Sequence, residues 1–252
     1  MGACSVFFLI IAWHQKRKLY RNTLLAGTVI MLLGMAYSGT RTANAMVVAG
    51  FGIFILLTID RRTTRIFAVV STVSLLIILY GPFYNPTIER FRSTFVGSED
   101  ESYKVRDIER MFIQPYMHSH PFGGGMGTTG ARGYAHNAGH PLAGYNTDSG
   151  YLKKALEAGW IGLILICVLY FAVLRAGIRG YFGTHDPKIK LIYGASVSFV
   201  FAFYIADYAQ DAIGQITDIV VYYPIMAIIL KLKYFDRSTE KGTEKENVML
   251  TV

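Results

Sequence analysis

The sequence predicts an all-α fold, a polytopic helical membrane protein with one long loop on its outer face. Three observations predict it. Of 252 residues, 52% are hydrophobic and only 17% charged, with a mean hydropathy of +0.35, below the ~25% charge usual in soluble domains. The apolar residues are gathered into runs nearly free of charge. The basic residues fall almost wholly between alternate runs.

The runs come in order. Residues 1–13 are apolar but too short to span, and they lack the basic start and small-residue cleavage site of a signal peptide. They read as the stub of a longer helix, so the chain is expected to begin partway through a larger protein. Gly2 does not make a myristoylation signal, because the hydroxyl residue is Ser5, not position 6. Residues 24–36, 43–59, 66–80, 156–174, 189–206 and 212–230 follow. Each approaches the ~20 residues that cross ~30 Å of hydrocarbon, for about seven spans with the stub. Six such runs exclude a disordered chain, a coiled coil and a secreted enzyme. The two cysteines, Cys4 and Cys167, lie inside apolar runs and make no disulfide scaffold.

Orientation follows from lysine and arginine. Lys16, Arg17, Lys18 and Arg21 precede the first full run, and Arg61, Arg62 and Arg65 separate the second and third. Arg175, Arg179, Lys188 and Lys190 lie between the fourth and fifth. Lys231, Lys233, Arg237, Lys241 and Lys245 occupy the tail. Against these sixteen, the short connections of the opposite face carry only Arg41. The positive-inside rule then puts the C-terminus in the cytoplasm. The net charge of +8 reflects this topology; no basic stripe interleaved with aromatics suggests a nucleic-acid partner.

Four segments are expected: membrane helices over 1–81, an outer loop over 82–150, membrane helices over 151–235 and a disordered cytoplasmic tail over 236–252. The loop holds four of the six histidines, His118, His120, His136 and His140. Residues 102–117 read as an amphipathic helix, with Val105, Ile108, Met111 and Phe112 on one face and Arg106, Asp107, Glu109 and Arg110 on the other. From Pro121 glycines dominate. Such density lets backbone approach a ligand or fold against itself, and no Gly-Lys-Ser/Thr follows to make a phosphate loop.

Several motifs together resemble the O-antigen ligase and O-antigen polymerase family of bacterial inner membranes. They are Arg41 in Ser38-Gly39-Thr40-Arg41, the helix start from Ser102 to Arg106, His120-Pro121-Phe122-Gly123-Gly124-Gly125, and Tyr151-Leu152 through Glu157-Ala158-Gly159-Trp160-Ile161-Gly162. The resemblance spans residues 24–230, and order and spacing carry it more than any single motif. It implies a metal-independent glycosyltransferase or ligase without cofactor. The donor is a glycan on a polyprenyl pyrophosphate, the acceptor is a hydroxyl of a lipid core or another glycan, and the reaction is periplasmic.

That chemistry needs fixed cations near the membrane surface for the pyrophosphate, which arginine's planar fork suits, and a base for the hydroxyl. Arg41, at the outer turn of a helical hairpin, matches the family's first arginine, although Ala45 stands where the family has leucine. An intramembrane or interfacial arginine also snorkels to lipid headgroups. Arg106 matches the second arginine, and Arg110 lies one turn further along; both also suit a solvated helix face. The family's catalytic histidine falls on Asp148, a departure. A desolvated carboxylate can serve as base, or Asp148 can cap the following helix. His136, in Ala135-His136-Asn137, is the alternative base. His120, Gly124 and Gly125 are expected at the acceptor site.

A metal site among the loop histidines and Asp148 follows no zinc spacing. Lys153 and Glu157, four apart, read as an ion pair along a helix. Asp207 and Asp211 are expected at the interface within reach of water, and Asp218 inside the last run. These aspartates suit a second functional class, a transporter or flippase for lipid-linked sugars without bond formation, which also calls for an internal repeat that the chain does not display.

Overall fold

The computed structural model describes residues 1–82, 85, 88–89, 91–92, 95, 111 and 113–249, of which 237–249 are described by backbone alone. Its described residues are helical and connecting segments, with no strand among them. The helices are α1 (Gly2–His14), α2 (Lys18–Ser38), α3 (Arg41–Thr58), α4 (Arg62–Tyr80), α5 (Gly130–His136), α6 (Gly150–Gly183), α7 (Pro187–Ala209) and α8 (Ile216–Met249).

Five of them, α2, α3, α4, α6 and α7, are long and apolar enough to cross a membrane, so the chain is a polytopic helical membrane protein. α1 is apolar but only 13 residues long. The sixth predicted run becomes the head of α8, which is not among the five and carries Asp218 in its first turn and Pro224 inside. Polar and helix-breaking residues reduce the apolar length available for crossing.

The core is built around α7, whose residues from Tyr193 to Val200 are all buried. α1, α3, α6 and α8 pack around it. Gly50 of α3 faces the Ser198 carbonyl, and Gly194 of α7 faces the Phe54 ring. These two contacts set an antiparallel register. Continued nine residues along each helix from the Gly50–Ser198 contact, it brings Arg41 level with Asp207. α1 runs parallel to α3, with Gly2 against Ala43 and Val6 against Gly50. The bundle therefore has a loop end, where α4 ends and α6 begins, and a basic end, where the links α1–α2, α3–α4 and α6–α7 lie.

Candidate active site at the loop end

The loop end is organised by a carboxylate. Asp207, in the last turns of α7, has no solvent exposure. Its Oδ2 accepts from Lys154 Nζ at 2.7 Å and from the Tyr170 hydroxyl at 3.1 Å, while its Oδ1 accepts from the Ile213 backbone N–H at 3.3 Å. A buried carboxylate demands such partners, because desolvation without them is costly. Around it, Tyr170 and Tyr204 stack at 4.2 Å, Tyr151 donates to the Tyr204 carbonyl at 3.3 Å, and Tyr222 donates to the Tyr204 hydroxyl at 3.1 Å. Gly150 lies so close that a Cβ there runs into the Asp207 carboxylate.

The sequence expectations for these charges need correction. Asp207 is sealed from water, because the chain from Gln210 to Ile213 folds over it and donates to it. Lys153 bonds Asp211 at 2.6 Å, not Glu157. Glu157 instead accepts from the Thr129 hydroxyl and backbone N–H, the latter at 3.4 Å. Each side chain takes a partner outside the helix, Asp211 in the link after α7 for Lys153 and Thr129 before α5 for Glu157, although α6 is still regular between them. Just beyond Glu157 lies the irregular point of α6.

It breaks at Gly159, whose φ of 67° and ψ of −169° lie in a region essentially closed to other residues. The break frees the carbonyls of Leu156 and Glu157 from the helical ladder. The glycine-rich segment takes their place: Gly124 N–H donates to Leu156 at 2.8 Å, Gly125 N–H to Glu157 at 2.9 Å, and Trp160 N–H donates back to Pro121 at 3.0 Å. Backbone must approach backbone for this exchange, and a Cβ on Gly123 stands 2.5 Å from the Glu157 carbonyl. The glycines thus fold against the chain's own helix.

A cavity of about 300 Å³ opens beside this junction, between residues 113–118 and the first turns of α6. His118, Ser149, Tyr151, Trp160 and Tyr208 supply its polar and aromatic lining, and Ile113, Met117, Leu152 and Leu163 its apolar lining. Ser149, not Asp148, caps α6, accepting from Leu152 N–H at 3.4 Å. Asp148 immediately precedes it and His136 ends α5; both are exposed, and neither is itself part of the cavity lining. His120 stacks on Tyr116 at 4.1 Å, and a Cβ on Gly124 stands 2.6 Å from the Tyr116 hydroxyl and 2.7 Å from the His140 ring. Burial pushes the Tyr116 phenol above its usual range. Arg41, half-buried, opens α3 at the level of Asp207. Arg106 and Arg110, and most of the expected amphipathic helix, lie outside the described residues, although 113–119 are helical. The loop histidines and Asp148 form no metal-holding group among the described residues.

The model of the family described as O-antigen ligase matches residues 26–167, more than half of the chain. The chain belongs to the O-antigen ligase family. No curated protein and no solved structure matches it. Membership assigns it to surface-polysaccharide biosynthesis, as a ligase- or glycosyltransferase-like enzyme and a multi-pass protein of the bacterial inner membrane.

The matched stretch runs through Arg41, the glycine-rich segment and the Tyr151–Gly162 motif, and stops before Asp207. Within this O-antigen ligase domain, sequence reading missed the role of Lys154 and the place of His118 in the cavity wall. The available signal was charge matching: two lysines open one apolar run where two aspartates close the next.

Proposed function

We propose that the protein transfers a glycan from a polyprenyl-pyrophosphate carrier to a hydroxyl of a lipid core or a growing glycan, at a loop end that faces the periplasm, with the C-terminus in the cytoplasm. The bond between the anomeric carbon and the pyrophosphate oxygen breaks as the acceptor oxygen bonds that carbon. The acceptor proton passes to a base, and the pyrophosphate leaves with its negative charge. Arg41, together with Arg106 and Arg110, holds the pyrophosphate through bidentate hydrogen bonds.

Asp148 is the base on this reading. The observation that carries it is the double position of Ser149, which caps α6 and also lines the cavity, so its neighbour is tied to a rigid helix end beside the cavity. His136 ends a seven-residue helix and has no such neighbour in the lining. His120, Gly124 and Gly125 border the acceptor, with the two glycines holding the segment on α6. Placing the charged leaving group beside a partly apolar cavity strengthens its pairing with guanidinium groups.

The test is the surface-glycan pattern of cells carrying Arg41→Ala or Asp148→Asn at unchanged protein level. Loss of all attached glycan identifies a ligase, and glycan limited to single repeats identifies a polymerase. An unchanged pattern in both variants overturns the reading.

A further inference from the structure

A second cavity, of about 340 Å³, lies at the opposite, basic end, wedged between α1, α3 and α4. Its wall divides by chemistry. Phe51, Phe54 and Phe67 make an aromatic interior, while His14 and Arg61 stand at the rim with Trp13. Trp13 is 68% exposed, as expected of a tryptophan anchored at the boundary of lipid and water. The interior belongs to hydrocarbon and the rim to headgroups.

The wedge exists because α4 is poorly held. It buries none of its residues. It leans on α3 through contacts such as Phe51–Phe67, whose ring centroids are 6.2 Å apart. Interhelical contact in a bilayer depends on close packing, so a gap of this size between helices is filled by acyl chain. The charge around the mouth selects the headgroup. Lys16, Arg17, Lys18, Arg62 and Arg65 flank His14 and Arg61 in sequence at this end and outnumber Asp60 beside them, and basic residues near a membrane surface favour anionic lipid.

We infer that this cavity is a binding site for one anionic glycerophospholipid of the adjoining leaflet, its acyl chain among Phe51, Phe54 and Phe67 and its phosphate on Arg61. The lipid joins α4 to α1 and α3. The site is independent of the proposed transfer chemistry, which lies at the other end of the bundle.

The chain has two tryptophans, Trp13 and Trp160, which supplies a direct probe. In full-length Trp160→Phe protein in detergent, phosphatidylglycerol with brominated acyl chains is titrated and Trp13 fluorescence followed, with brominated phosphatidylcholine as comparison. The expected result is quenching that saturates near one lipid per chain, with roughly fivefold tighter apparent binding of phosphatidylglycerol, as one charge-assisted contact provides. Arg61→Gln removes most of that preference and Arg61→Lys keeps most of it, while Arg179→Gln, at the same end but outside the cavity, has no effect. Arg61 is exposed, so these changes leave the fold intact. Equal quenching by both lipids, or a preference indifferent to Arg61→Gln, overturns the inference.

Discussion

Lys154 of α6 places its Nζ 2.7 Å from Oδ2 of Asp207 on α7, and the carboxylate it meets has no exposure to solvent. Fifty-three residues separate the partners. Their contact pins the start of α6, and with it Ser149 and the cavity wall, to the helix at the centre of the core.

Removing Lys154 leaves the buried Asp207 carboxylate without a counter-charge, held only by the Tyr170 hydroxyl and the Ile213 N–H. Lys154→Met is expected to destabilise the protein by on the order of 3 kcal/mol, since Lys154 still reaches some solvent. The double variant Lys154→Met, Asp207→Leu is expected to recover much of that loss. Thermal unfolding in detergent measures both; equal loss in the single and double variants contradicts the pairing.

Lys153 and Asp211 offer the contrast. Their side chains retain 31% and 15% exposure, so Lys153→Ala is expected to cost no more than about 1 kcal/mol. The same unfolding measurement ranks it far below Lys154→Met.

Gly159→Ala meets two obstacles: a backbone conformation reserved for glycine, and a methyl driven into the Pro121 carbonyl. The expected outcome is detachment of the glycine-rich segment, read as at least ~10-fold faster proteolysis within residues 121–127, with glycan assembly lost. Gly139→Ala, which has open space around it, is expected to be silent in both assays.

For the proposed transfer, Asp148→Asn is expected to lower glycan attachment by ~100-fold or more, the usual worth of a positioned base. His136→Ala is expected to leave attachment within about twofold on the same scale. A reversed ranking in a purified transfer assay reassigns the base to His136.

Arg41→Ala is expected to abolish transfer. Arg41→Lys, which keeps the charge but loses the planar fork, is expected to retain activity reduced roughly tenfold. Full activity of the lysine variant shows that charge alone suffices at Arg41.

Hydropathy runs placed the spans at α2, α3, α4, α6 and α7 because crossing hydrocarbon is a property of a local stretch: its length, its apolar content and its freedom from charge. The family motifs were legible for a related reason, since they are short segments in a set order, and the match over residues 26–167 agrees with them. The glycines from Gly123 to Gly125 were visible as close-approach residues, but composition does not say what they approach. What they meet, the broken ladder at Gly159, is decided by how the segment and α6 lie together.

The same holds for the charges. Sequence spacing pairs Lys153 with Glu157, and helix register instead gives Lys153 to Asp211, Lys154 to Asp207 and Glu157 to Thr129. From its residues alone the chain specified that it crosses a membrane and which family it belongs to, while five of the runs it offered proved long and apolar enough to cross. Which carboxylate is buried and which helix is broken depended on the packed bundle, because Asp207 is paired by a lysine fifty-three residues away and the break at Gly159 is completed by the backbone of residues 121–125, with water excluded from both.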